Sequence, residues 1–298
     1  MLSILIPTYD FNVYPLVLEL KKQADSLGII YEIIVQDDLS QKLIAENSTI
    51  NLFPNCTFSV NRQNLGRGKN INLLCSRSKY DNVLIMEADA FPENDFYLKN
   101  YVELLSKPIS VIFGGVKYPI IIPPKEKLLR WKYGINRETK SLNYRLKNNY
   151  DFVFTWNLLL RKEILLKYPF PEFINKYGYE DAIFIKNLRL NSISIAHIEN
   201  PLIHYNDECS IDFIKKTESA VNTLYDLIHL KKIEYKDIKL SAVYLILKRI
   251  HLIGILKAIY NTTKNQILNN LTSKNPSLYL LDFYKLGNFC CINPKKNV

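Results

Sequence analysis

Short, uniformly apolar runs open the chain and recur through its first 115 residues, at 2–6, 32–35, 57–60, 83–86 and 111–113. Each is too brief for a helix and lacks polar alternate positions, which predicts strands covered on both faces. Between them the period changes. Residues 13–27 place Leu16, Leu20 and Leu27 near helical spacing, 66–77 read as a helix entered from a glycine turn, and 94–105 as another. Strand alternating with helix predicts an α/β fold: a mostly parallel sheet with flanking helices, whose ligands gather at the carboxyl edge of the strands. After Gly114-Gly115 the pattern lapses into a long basic loop, 116–150, containing Pro119, Pro123, Pro124 and Trp131. Regularity returns with an apolar run from Asp151 to Leu160, a helix near Glu180 and a β-type run at 192–198; from Asp212 onward the pattern is helical. The expected division is a domain at 1–207, carrying the 116–150 insert, and a basic helical extension at 208–298.

Composition narrows the class. A 298-residue chain that is 48% hydrophobic buries a large core and is not disordered. The most apolar window, 242–256, is broken by Lys248, Arg249 and His251, so no membrane-spanning helix is expected. The first apolar run stops at Pro7 with no basic region before it, unlike a secretory signal, so a cytoplasmic location is expected. Five cysteines without metal-type spacing point to reduced, structural thiols. The net charge of +10 is unevenly placed: residues 231–298 hold 12 Lys/Arg against 3 Asp/Glu, and 116–150 hold 9 against 2. The rest of the chain is acidic. That distribution fits a cation-using site beside anion-meeting surfaces better than a nucleic-acid module.

Four polar clusters follow predicted elements where an α/β sheet would collect them. They are Pro7-Thr8-Tyr9-Asp10; Asp37-Asp38 with Ser40; Glu87-Ala88-Asp89; and Gly178-Tyr179-Glu180-Asp181, with His204 after a later β-type segment. Glu87 and Asp89 lie two apart, and on an extended segment both point to one side. Paired carboxylates repel unless a cation joins them, and an oxygen-rich site with an imidazole suits Mg²⁺ or Mn²⁺. For an isolated Glu-x-Asp a solvated acidic turn is the commoner reading. Gly66 and Gly68 do not form a dinucleotide fingerprint, because Ile71 stands where the third glycine belongs.

Taken in order, Ile4-Leu5-Ile6-Pro7-Thr8-Tyr9, Asp37-Asp38-Leu39-Ser40, Asn64-Leu65-Gly66, Glu87-Ala88-Asp89, Gly178-Tyr179-Glu180-Asp181 and His204 resemble the inverting family 2 glycosyltransferases of the GT-A fold. The likeness covers about residues 1–207, and 157–190 is similar to the donor domains of chondroitin-polymerase-like enzymes. It implies a Rossmann-like sheet and a nucleotide-sugar donor, with a UDP-sugar favoured. Pro7, Thr8, Tyr9, Asp37 and Asp38 would hold base and ribose, a role that suits a carboxylate able to accept the N3 hydrogen of uracil. Asn64, Gly66, Arg67 and Lys69 would approach the ribose or diphosphate, with Glu87 and Ala88 beside them. Asp89 corresponds to the metal ligand and His204 to its later partner. Glu87 departs from the family's Asp-x-Asp. Asp181 corresponds to the catalytic base and Glu180 to an acceptor-holding carboxylate, while Trp156 and Asn157 are candidates for acceptor contact.

The reading is therefore an inverting transferase that moves a hexose-type sugar to a glycan acceptor in surface polysaccharide synthesis, with a divalent metal as cofactor. A lipid-diphosphate-linked acceptor, peripheral membrane contact through the C-terminal basic helices, and a second copy of the chain are candidate partners; nucleic acid is not. The rivals are a sugar nucleotidyltransferase, which attacks phosphorus and needs no base at Asp181, and a basic nucleic-acid-binding protein.

Overall fold

The computed structural model describes residues 1–42, 44–174, 176–205 and 207–292. It contains two compact units, one of Met1–Pro119, Arg137–Asn175 and Glu180–Asn206, the other of Ile120–Asn136, Lys176–Tyr179 and Asp207–Val298. The strands are β1 (Leu2–Thr8), β2 (Tyr31–Asp37), β3 (Cys56–Val60), β4 (Asn82–Met86), β5 (Ala90–Pro92), β6 (Val111–Phe113), β7 (Val116–Lys117), β8 (Asn157–Arg161), β9 (Ala196–His197) and β10 (Leu202–His204). The helices are α1 (Tyr14–Ser26), α2 (Ala45–Thr49), α3 (Arg67–Arg77), α4 (Tyr97–Val102), α5 (Leu128–Tyr133), α6 (Leu142–Lys147), α7 (Lys162–Lys167), α8 (Glu180–Leu190), α9 (Ser210–His229), α10 (Lys239–Arg249), α11 (Ile253–Leu271) and α12 (Leu278–Cys291).

The first unit is built on a seven-stranded sheet in the order β3-β2-β1-β4-β8-β6-β9. The pairs β1/β2, β2/β3, β1/β4 and β6/β9 are parallel, and β8 runs antiparallel between β4 and β6. Every residue of β1 and β2 is buried, as strands covered on both faces require. Their polar members are satisfied internally: Ser3 Oγ donates to Glu32 Oε1 at 2.6 Å and accepts from the Tyr80 amide at 3.1 Å. The chain leaves β1 toward β2 and β3, then returns to β1's other side as β4. This reversal opens a crevice at the carboxyl ends of β1 and β4, the place where such sheets bind ligands.

A second sheet, β5-β10-β7, stands beside that crevice. β10 pairs antiparallel with β5, matching His204 to Ala90, and parallel with β7. The close bend between β6 and β7 needs glycine: a Cβ on Gly114 would overlap Asn200 O and the Tyr101 hydroxyl, and Gly115 has φ +93°.

The five expected strands of the first half are present, and so are the three helices, with α4 shortened to six residues. The stretch expected to be a structureless basic loop is instead folded, and it is divided between the units. Its order comes from tertiary burial that local patterning does not display. In the first unit α6 buries Arg145, whose guanidinium donates to Ile198 O and Glu199 Oε2, each at 3.1 Å. In the second, α5 buries Leu129 with Phe213, Ile214, Tyr260 and Leu281.

The second unit is helical, and α9 buries nine of its 20 residues. The last six residues of the expected C-terminal extension lie outside the described residues. Among the described residues no helix is long and apolar enough to cross a membrane, and all five cysteines are free thiols.

Candidate active site

Thr8 and Asp37 are register partners at the ends of adjacent parallel strands, and the Asp38 amide donates to Thr8 O at 2.9 Å. Asp37 Oδ1 accepts from the Ser40 amide at 3.0 Å and its hydroxyl at 2.6 Å, while Oδ2 has no donor among the described residues. Asp38 does different work. Its Oδ1 accepts from the Leu65 amide and Asn61 Nδ2, and its Oδ2 from the Gly66 amide, each at 2.8 Å. The carboxylate thus anchors the turn that starts α3, where Gly66 takes φ +81°. Asn64 closes the same turn by donating to Asp38 O at 3.0 Å. Pro7 and Thr8 are buried and Tyr9 is 44% exposed at the mouth.

Because the turn is fixed, the first residue of α3 is aimed across the crevice. Arg67 Nη1 lies 2.7 Å from Asp181 Oδ1, Nη2 lies 3.2 Å from Glu87 Oε2, and Nη2 also donates to Thr155 Oγ1 at 3.1 Å. Thr155 completes the hold on Asp181 by donating its hydroxyl to Oδ1 at 2.6 Å and its amide to Oδ2 at 3.2 Å. The closeness of α3 to α8 has a steric basis. A Cβ on Gly68 would come within 3.3 Å of Phe170 Cβ and Pro171 O and 3.8 Å of Glu180 Cγ. Lys69, half-buried two residues on, makes no ion pair among the described residues.

Glu87 and Asp89 do not share an extended segment. Residues 87–90 form a turn, with the Ala90 amide donating to Glu87 O at 3.4 Å, and the two carboxylates take different partners on either side of buried Ala88. Glu87 meets Arg67. Asp89 meets His204, with Oδ1 3.4 Å from Nε2, because the β5/β10 register and a 2.9 Å bond from the Tyr205 amide to Asp89 O bring the two together. The His204 ring lies against Trp156 and Tyr118, with centroids 4.9 and 5.5 Å away.

Glu87, Asp89, Glu180 and Asp181 gather near the Arg67 guanidinium, so carboxylates outnumber Arg67 here. Burial pushes the Glu87 carboxyl above its usual range and Asp89 adds to this, while Arg67 opposes them. For Arg67, burial alone would lower the pKa, but Asp181 and then Glu87 more than reverse it and the group stays charged. A diphosphate would be repelled here without a further cation. Asp89 and His204 fit one: two cis ligands of an octahedral ion, each at about 2.1 Å, subtend roughly 3 Å. Among the described residues no group of three or more His, Cys, Asp or Glu is gathered for a metal.

The structure therefore links Asp38, Asn64 and Gly66 by hydrogen bonds, and through the Gly66–Arg67 peptide a second bonded group of Arg67, Glu87 and Asp181; Asp89 pairs with His204 nearby, and Thr8 and Asp37 end the adjacent strands. It does not bring Asn157 to the crevice. That side chain is fully buried, accepting from the Tyr97 and Tyr101 hydroxyls at 2.8 Å each and donating to Gly115 O at 2.6 Å and Asn200 O at 3.0 Å. Trp156, 7% exposed, is packed on His204 rather than open to a sugar. Sequence reasoning missed Thr155; its one signal is a polar residue directly before the apolar run of β8.

The profile of Glycosyl transferase family 2 matches residues 3–168, more than half the chain. The fold is of the GT-A type, and the chain belongs to glycosyl transferase family 2. Among solved structures, mannosyl-3-phosphoglycerate synthase from Rubrobacter xylanophilus aligns with TM-score 0.55 at 15% identity, over 78% of this chain and 76% of that one. The mannosyltransferase PcManGT from Pyrobaculum calidifontis, solved with GDP-Man and Mn²⁺, aligns with TM-score 0.53 at 13% identity, over 98% and 88%. At these identities the likeness concerns the fold. A search of curated protein sequences gives no match. Family membership sets aside the nucleotidyltransferase and nucleic-acid-binding readings.

Proposed function

We propose that this transferase moves a hexose-type sugar from a UDP-sugar to a glycan acceptor by single displacement with inversion, in the assembly of a surface polysaccharide. The observation that carries this reading is Asp181, held by Arg67 and Thr155 across the crevice from Asp89 and His204. Asp181 Oδ1 already takes two strong donors, whereas Oδ2 has the single 3.2 Å contact. Oδ2 is the oxygen left to receive a proton. The acceptor hydroxyl gives its proton to Oδ2 as its oxygen attacks the anomeric carbon. The bond from that carbon to the diphosphate breaks on the opposite face, and the electron pair leaves with the nucleoside diphosphate. Glu180 orients the acceptor, and Asp37 Oδ2 accepts the N3 hydrogen of uracil. A Mn²⁺ or Mg²⁺ ion held by Asp89 and His204 would neutralise charge on the departing diphosphate.

Two carboxylate variants test the division of labour. Asp181→Asn should lower kcat by roughly 10²- to 10⁴-fold while UDP titrated with Mn²⁺ still binds within a factor of about two. Asp89→Ala should weaken that Mn²⁺-dependent binding tenfold or more, about 1.4 kcal/mol. Equal loss of nucleotide affinity in both variants would refute the assignment.

A further inference from the structure

In the second unit, α10 and α11 carry an apolar face that no part of the described unit covers. Six of the eleven residues of α10 are Leu, Ala, Val or Ile, yet Ser241 is its one buried residue. Val243, Ile246 and Ile250 are 36, 57 and 54% exposed, and Leu252, Ile255 and Ile259 are 39, 59 and 48% exposed. Each trio has the spacing i, i+3, i+7, with Ile250 at the C-cap of α10 and Leu252 at the N-cap of α11, so each forms a stripe along its helix and the adjoining cap. A turn at His251, with φ +59°, connects the two helices through residues 250–252.

The segment that carries these stripes holds charge of one sign. Across residues 239–281 there are six Lys/Arg (Lys239, Lys248, Arg249, Lys257, Lys264 and Lys274) and no Asp or Glu. A second copy docked face to face would set cation against cation, with no acid in the stretch to compensate. A polyanion in water would use the cations but leave six large aliphatic side chains hydrated. An anionic lipid surface satisfies both: the aliphatics enter the boundary between headgroups and acyl chains while Lys and Arg stems reach up to the phosphates.

We propose that α10 and α11 form an interfacial docking face for anionic lipid, through which the chain lies on a membrane without crossing it. This is independent of the transfer chemistry. The test is co-sedimentation of the full chain with phosphatidylcholine vesicles, with and without phosphatidylglycerol. Binding should be at least tenfold stronger to the mixed vesicles and should weaken as salt is raised and screening shortens. The double variant Ile246→Glu/Ile255→Glu changes exposed side chains, and it should lose at least tenfold in vesicle binding with unchanged Tm and unchanged transfer to a water-soluble acceptor. Should that variant lose Tm, Lys248→Gln/Arg249→Gln takes its place with the same expected loss of binding. Equal binding to neutral and anionic vesicles, or parental binding by a folded variant, would overturn the proposal. So would a concentration-dependent dimer that the glutamates dissolve, since the face would then belong to a second copy.

Discussion

The Arg67 guanidinium lies between a carboxylate at a strand end, Glu87, and one at a helix start, Asp181, while Thr155 fixes the latter from the other side. Its position follows from Asp38, which holds the turn preceding it. Arg67→Ala removes the fork that orients Asp181 and leaves neighbouring negative charges uncompensated, so kcat should fall roughly 10²-fold through misplacement of the base. Arg67→Lys restores the charge but not the planar fork and should recover only part of that loss. Separate measurement of kcat and KM for both variants checks this, and a parental kcat in Arg67→Ala would remove Arg67 from the positioning of the base. The residue types of this site were legible in the sequence; the partners were not. Arg67 and Asp181 are 114 positions apart, and a basic residue at a helix start reads the same whether it faces solvent, phosphate or carboxylate.

Short elements place the remaining groups. The three-residue pairing of β10 with β5 sets His204 beside Asp89, and strands this brief carry too few residues for a reliable period. The β6–β7 bend depends on Asn157 at the head of β8, whose amide satisfies two tyrosine hydroxyls and two carbonyls. Asn157→Ala should therefore act on stability, costing about 3 kcal/mol through stranded buried polar groups, or roughly 6–12 °C in Tm by differential scanning calorimetry. An unchanged Tm with a raised acceptor KM would instead place Asn157 in the acceptor site. At the sheet edge, His197 on β9 lies edge-on to Phe113 with Nε2 2.9 Å from Asn149 O. Burial lowers its pKa below the usual 6.5, the Asn149 carbonyl opposes this, and Arg145 lowers it further. Above pH 6.5 the imidazole is neutral in both states. As pH falls below that value the unfolded chain takes up a proton that the folded one resists, so stability declines until the folded pKa is passed. His197→Gln should show a shallower decline of Tm between pH 7 and pH 5 than the parent, and identical slopes would exclude His197 as a source.

At the scale of the whole molecule, function is divided by composition as well as by fold. The acidic crevice belongs to the first unit, and the acid-free basic stretch 239–281 to the second. The strands, their parallel arrangement and the carboxylates that follow them were determined by the sequence, because covered strands need unbroken apolar runs and polar residues collect where those runs stop. Tertiary structure alone decided which carboxylates Arg67 meets, that Thr155 donates to Asp181, that Asn157 is fully buried, and that the 116–150 stretch is folded. Those outcomes depend on pairings between distant segments, whose free energy comes from burial and satisfied hydrogen bonds that no local pattern encodes.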